Sequence, residues 1–397
     1  MYYLLFFQPY TYIKVNSDKS LFYNCLSNQL YIVTDTVVCT FLNNSHLEKE
    51  YTCKLSKKEM KHDSIMVFIE NVRNYFMGDV IKHDYSEISP IIFAPKPKIQ
   101  SEDVNFKLWD GTNLLDNLHE LNIYTNGVES DNYLSDAYKQ FIYPLQSNQE
   151  LSFVKILDIF NNNEFPNLIS VNIIGNHNYS SYDKLVKYFK DKNITKTFVL
   201  LSDDCVNESA ILRDKNIIYE IILHMNSINE IDISNIINKY NNANLKLKLI
   251  VSTEEELKRA NHYVEKFKVS NYELNPYFTG HNFDFFKDNV FLNTNDLETI
   301  ELSIRDIMIK SKINPLCFGK LSILPNGNVH SNQNCPSLGN IESDSIKFLI
   351  MNEFEKSYSW TNSRNDKSEC TNCVFNLLCP PLTNYEYYKE ISKICNM

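Results

Sequence analysis

The sequence predicts an α/β fold built on a parallel sheet, with a small α+β unit before it and a cysteine-rich unit after it. Three observations lead there. Strand-like and helix-like segments alternate between residues 113 and 278. Pro90, Pro95 and Pro97 separate that stretch from what precedes it. Six of the ten cysteines fall within the last 81 residues.

Residues 1–88 read as the α+β unit. Tyr10 to Val15 alternates as a strand does, the Asn16-Ser17-Asp18 turn follows, and Leu21 to Asn24 is the hairpin partner. Leu30 to Val38 reads as a further strand or a passage from strand to helix. Ile65, Phe68, Ile69, Val72, Tyr75 and Phe76 have helical spacing within Met60–Met77, and Gly78 is the expected cap. Strands followed by helices is also the order of winged-helix peptide-binding modules. Residues 89–112 read as a linker, because proline prevents regular pairing.

Residues 113–312 carry six strand candidates: Leu118–Tyr124, Leu168–Ile174, Thr195–Leu201, Ile217–Leu223, Leu245–Val251 and Tyr272–Tyr277. Helices are expected at Ser181–Lys190, Ser227–Tyr240 and Thr253–Phe267, the last opened by a Thr253–Glu256 capping box. Asp296–Ile309 is the candidate for the sixth. Such βα units imply a parallel sheet with helical crossovers. Periodicity alone leaves a partial barrel and a doubly wound sheet both open.

Residues 313–397 are irregular. Phe318–Leu324 and Val329–Ser331 flank Pro325-Asn326-Gly327-Asn328, a hairpin signal because Asn-Gly tolerates positive φ. Asp344–Lys356 reads as a helix.

Composition narrows function. A hydrophobic fraction of 43% and a charged fraction of 22% suit a soluble globular protein. A net charge of −10 argues against a nucleic-acid surface, which needs clustered Lys and Arg. Leu4–Phe7 lacks the basic flank and the length of a signal peptide, and no apolar run reaches the roughly 20 residues of a membrane span. A cytoplasmic protein is expected. Eight glycines form neither a P-loop nor G-x-G-x-x-G.

In a reducing compartment clustered cysteines suggest metal or redox chemistry. Cys25, Cys39, Cys53 and Cys205 are scattered and read as small core side chains. Cys370-x-x-Cys373 is followed by Cys379 after five residues and Cys395 after fifteen. Two cysteines separated by two residues can face one ion, and two more complete a four-sulfur site for zinc or an iron–sulfur cluster. Four thiolates repel one another unless metal neutralises them. No histidine follows His330, so an all-sulfur set is expected. Cys317 and Cys335 bracket the hairpin and form at most an incomplete second site.

These segments resemble a known family. Asn314-Pro315-Leu316-Cys317-Phe318-Gly319-Lys320, then Leu324-Pro325-Asn326-Gly327-Asn328-Val329, then Cys335 with Leu338-Gly339-Asn340-Ile341, look like the opening of a SPASM-type auxiliary cluster domain. Cys370 through Cys379-Pro380-Pro381, Asn384-Tyr385-Glu386 and Cys395 look like its closing half. SPASM domains follow radical SAM barrels, so the resemblance implies a partial (β/α)6 barrel and a [4Fe–4S] cluster on Cys370, Cys373, Cys379 and Cys395. The first auxiliary site would keep Cys317 and Cys335, with Thr383 where another ligand belongs.

The departures bear on activity. CxxxCxxC, which binds the cluster that splits S-adenosylmethionine in radical SAM enzymes, occurs nowhere; Val128, Asn132 and Ser135 stand at its spacing. Ile174-Gly175-Asn176-His177 retains one glycine of the family's SAM-contacting motif and lacks its acidic residue. The resemblance is therefore to the pseudo-radical-SAM proteins of the GG-Bacteroidales peptide system. It implies a non-catalytic bacterial partner in maturation of a ribosomally made peptide, without S-adenosylmethionine, acting beside a radical SAM peptide maturase and a precursor peptide. The N-terminal unit would recognise the peptide. Two other readings stand beside it: an enzyme using His177, Glu129, Asp131 and Asp203 at the sheet's C-terminal mouth, and a zinc-stabilised structural protein.

Overall fold

The computed structural model describes residues 2–45, 47–83, 113–129, 133–206, 214–240, 242–388 and 394–395. The expected linker 89–112 lies outside them, as do Asp131 and Asn132.

The N-terminal unit holds β1 (Tyr2–Phe7), β2 (Thr11–Val15), β3 (Ser20–Asn24), β4 (Gln29–Val33), β5 (Thr52–Leu55) and β6 (Gly78–His83). β2, β3 and β4 form an antiparallel meander, with the expected hairpin pairing Tyr12 to Tyr23 and Lys14 to Leu21. β4 then passes into the helix Thr36–Asn43, whose N-cap Asp35 accepts from the amides of Val37 and Val38. β1, which the sequence reading missed with β5 and β6, lies between those two strands in a second antiparallel sheet.

Gly78 is not the helix cap. The helix Asp63–Asn74 ends in a Schellman turn, with Phe76 N bonded to Arg73 O and Met77 N to Val72 O, and Phe76 takes the left-handed position at φ 54°. Gly78 instead begins β6, where a Cβ would stand 2.3 Å from the Phe6 carbonyl oxygen.

Both faces of the meander are covered. Ile13, Phe22 and Val33 pack with Phe68, Val72 and Leu5. The opposite face, with Tyr12, Leu21 and Tyr23, packs on Leu297, Ile307, Val374, Phe375 and Leu378. Burying a large apolar side chain stabilises by about 1.5–3 kcal/mol, so this second contact is a substantial share of the unit's attachment.

All six expected strands of the central region form: β7 (Glu120–Tyr124), β8 (Ser170–Ile174), β9 (Thr195–Leu201), β10 (Ile218–His224), β11 (Asn244–Val251) and β12 (Tyr272–Pro276). They are parallel and strictly sequential in space. A doubly wound sheet reverses its order at a switch point, so that alternative is excluded. The helices Phe153–Asn161, Tyr182–Phe189, Glu230–Lys239 and Glu254–Phe267 bury Ile156, Leu185, Phe189, Ile236 and Ala260 against one face of the sheet. One-sided crossovers follow from sequential order and the right-handed rule.

Three local expectations change. Thr253 accepts from Glu256 N, but the Glu256 carboxylate reaches Ser252 N instead of closing the box on Thr253. Asp296–Ile309 divides into Thr294–Glu298 and Ile304–Lys310, each opened by its own capping box, at Asn293 and at Ser303. The hairpin of β13 (Lys320–Ile323) and β14 (Asn328–His330) has a type I turn on Pro325-Asn326, with positive φ only at Gly327.

β13 joins the large sheet in parallel beside β7, and β14 and β15 (Gly339–Asn340) follow antiparallel, giving nine strands in all among the described residues. The sheet face opposite the crossover helices carries a polar row. Glu220 bonds Lys248 at 2.5 Å and Lys246 at 2.8 Å, and Asn172 bonds Asn122 at 2.7 Å.

Candidate metal centre

The four C-terminal cysteines are carried by successive turns and one returning strand end. Cys370 lies in the short helix Ser368–Thr371, Cys373 N donates to Cys370 O at 3.0 Å, and Cys379 N donates to Phe375 O at 3.0 Å. Cys395 returns through Ile394 O, which accepts from Leu292 N at 3.1 Å. Cys370 and Cys379 are buried; Cys373 and Cys395 are half-buried.

Burial pushes the Cys379 thiol up to about 12, with Arg364 opposing, and negative charge on Cys373, Cys395 or Cys370 pushes it further. All three partners are therefore its electrostatic neighbours. Burial also raises the Cys370 thiol against the pull of Arg364. Such thiols keep their protons until a metal replaces them.

Charged side chains surround these sulfurs. Arg364 Nη1 donates to Cys370 Sγ at 3.7 Å while its two terminal nitrogens hold Glu386 at 2.9 and 3.1 Å. Lys310 Nζ donates to the carbonyl oxygens of Cys379 and Leu378 at 3.1 and 3.4 Å. Arg364 and Lys310 were not singled out from the sequence, and Glu386 stood there only within the Asn384-Tyr385-Glu386 segment, since their approach to the cysteines depends on chain returns.

Among the described residues no three His, Cys, Asp or Glu side chains stand close enough to hold one metal ion. An all-thiol donor set around Cys379 has the chemistry for zinc or for an iron–sulfur cluster. Cys370, Cys373, Cys379 and Cys395 would hold it.

Cys317 and Cys335 lie elsewhere, near each other and near Glu353. Asn332 donates to Cys317 Sγ at 3.6 Å, and Cys335 Sγ donates to Tyr358 O at 3.5 Å. Burial raises both thiols, to about 11 and about 12. Thr383 is turned away to other work: its amide and hydroxyl bond the Glu386 carboxylate at 3.0 and 3.3 Å, at the start of the helix Asn384–Tyr388.

The carboxyl ends of the parallel strands, where open α/β sheets bind ligands, are filled by the chain itself. Tyr124, Ile174, Leu201, Ile222 and Ile250 pack with Val128, Ala137, Phe141 and Tyr143 from the segment after β7. Asn126 and Asn176 join the first two loops, with side-chain nitrogen to oxygen at 2.7 Å and Asn176 N to Asn126 Oδ1 at 3.0 Å. At Gly175 a Cβ would stand 2.3 Å from Asn126 Oδ1 and 2.4 Å from Thr125 Oγ1.

The expected mouth residues are dispersed. His177 stacks on Tyr182 at 5.2 Å, and Glu129 is exposed. Asp203 lies near His224, a residue the sequence reading did not select. His224 Nε2 pairs with Tyr143 OH at 3.0 Å, and burial pushes its pKa down to about 4 although Asp203 opposes.

No family model matches the chain, and no curated protein and no solved structure matches it. No helix among the described residues is long and apolar enough to cross a membrane.

Proposed function

We propose that this protein is a non-catalytic, pseudo-radical-SAM partner in the maturation of a ribosomally made peptide, carrying one [4Fe–4S] cluster on Cys370, Cys373, Cys379 and Cys395. One observation carries the non-catalytic part: the carboxyl ends of the parallel strands are packed with Val128, Phe141 and Tyr143 where a substrate and S-adenosylmethionine would need space. The sequential strands and one-sided helices support a partial (β/α)6 barrel whose mouth has been closed.

The N-terminal unit is the peptide-recognition module in this reading. A groove of about 750 Å³ there is lined by Val37, Phe41, Cys53 and Ile65, with Lys58, Glu59 and His62 beside them. An apolar floor with charged flanks suits an extended peptide held by side-chain pockets. The partners are the precursor peptide and a radical SAM peptide maturase.

Co-purification tests the function. The full-length protein, tagged and expressed with a co-encoded maturase and precursor, should retain both through washing. Retention of neither overturns the proposal.

A further inference from the structure

We propose that metal loading of the four-cysteine centre fastens the N-terminal unit to the rest of the chain; this rests on reading Cys370, Cys373, Cys379 and Cys395 as metal ligands. The loop carrying three of these cysteines also carries the apolar side chains on which the meander sits. Val374, Phe375 and Leu378 lie between the cysteines in sequence and pack with Tyr12, Leu21 and Tyr23 in one core, which includes Cys379 itself. Whatever orders that loop orders the seat of the N-terminal sheet.

The hairpin turn repeats the contact. The Asn16 side-chain amide donates to the Asn372 carbonyl, one residue before Cys373. Lys19 Nζ stands 4.7 Å from the centre of the Phe375 ring. Tyr23 OH donates to Ile300 O at 2.8 Å and accepts from Leu302 N at 3.0 Å, tying β3 to the break between the two helices on the same side.

A cleft of about 880 Å³ lies open between the hairpin turn and Cys373, lined on one side by Val15, Asn16, Asp18 and Lys19 and on the other by Asn372, Cys373 and Phe375. The two parts thus touch around an opening, through the cysteine loop and through the helices Thr294–Glu298 and Ile304–Lys310 with the break between them. Short turns hold that loop, and its thiols are its natural tie points. With the thiols untied the loop loosens, and Val374, Phe375 and Leu378 lose their fixed positions under the meander. The occupancy of the centre then governs how firmly the N-terminal unit is presented.

The test compares full-length protein reconstituted anaerobically with iron and sulfide against the same protein stripped with a chelator. Trypsin cleavage after Lys19 and amide exchange across residues 11–24 are followed together with visible absorption. Loading should slow both roughly tenfold, as expected for a local opening made less frequent, while cleavage after Lys258 in the helix Glu254–Phe267 stays unchanged. Tyr23→Phe, which removes no sulfur and only the hydroxyl bonded to Ile300 and Leu302, should restore fast cleavage at Lys19 with the visible spectrum intact. Equal rates in loaded and stripped protein overturn the inference while leaving the metal reading in place. Equal acceleration at Lys19 and Lys258 also overturns it, since general unfolding would then be the cause. Failure to load at all removes both readings.

Discussion

His224 and Arg364 show how single side chains report on the two ends of the molecule. His224 is buried against Tyr143, and its folded pKa is pushed from 6.5 down to about 4. The folded state therefore holds the ring neutral, whereas the unfolded chain takes up a proton below about pH 6.5. The unfolded state binds more protons between those values, so stability is complete above pH 6.5 and falls as pH drops toward 4, by up to about 3 kcal/mol. Urea unfolding at pH 7 and pH 4.5 should show this loss, and His224→Gln should reduce the difference between the two. An unchanged difference in the variant would assign the slope to other groups. Arg364 holds Glu386, which is fully buried, with both terminal nitrogens. Arg364→Met leaves that carboxylate without its bidentate partner and should cost about 3–5 kcal/mol, measured as a lower unfolding midpoint. A change below about 1 kcal/mol would mean the pair sits in a wetter site than its burial indicates.

At the scale of elements, the closure of the strand ends depends on the segment after β7 and its bonds to the loop after β8. Gly175→Ala places a methyl against Asn126 Oδ1 and Thr125 Oγ1 and displaces the Asn126–Asn176 pair. It should destabilise by about 1–3 kcal/mol; an unchanged urea midpoint would mean the loops are not held by that pair. How legible each element was follows from where its pairing comes from. The six parallel strands could be read because most are apolar runs or apolar–polar alternations bounded by polar turns, and their ends differ from expectation by only a few residues. β1, β5 and β6 could not be read in this way. Tyr2–Phe7 is a continuous apolar and aromatic run whose partners lie near residues 54 and 80. The divided helix at residues 294–310 kept a helical apolar rhythm across its break, and only the caps at Asn293 and Ser303 marked two starts. The spacing of the C-terminal cysteines is plain in the sequence. The approach of Arg364 and Lys310 to them, and the burial of His224, could not be read there, because these neighbours are set by tertiary packing.

At the scale of the molecule, three parts meet: a parallel sheet closed at its carboxyl ends, a cysteine-bearing segment, and an N-terminal unit seated on that segment. The central claim is that Cys370, Cys373, Cys379 and Cys395 hold one cluster. Arg364, paired with Glu386, donates to the Cys370 sulfur, and Lys310 donates to the Cys379 carbonyl oxygen, so charged groups fix the loop around these sulfurs. Cys317 and Cys335 neighbour each other instead, with Asn332 donating to the Cys317 sulfur and the Cys335 thiol donating to Tyr358 O. The direct measurement is iron, acid-labile sulfide and zinc content of anaerobically purified full-length protein, with its visible spectrum, beside the same protein carrying Cys373→Ser and Cys379→Ser together. The account predicts about four iron and four sulfide per chain, a broad visible absorption, and loss of both in the double variant. One zinc per chain without sulfide, or iron retained after both substitutions, would contradict it.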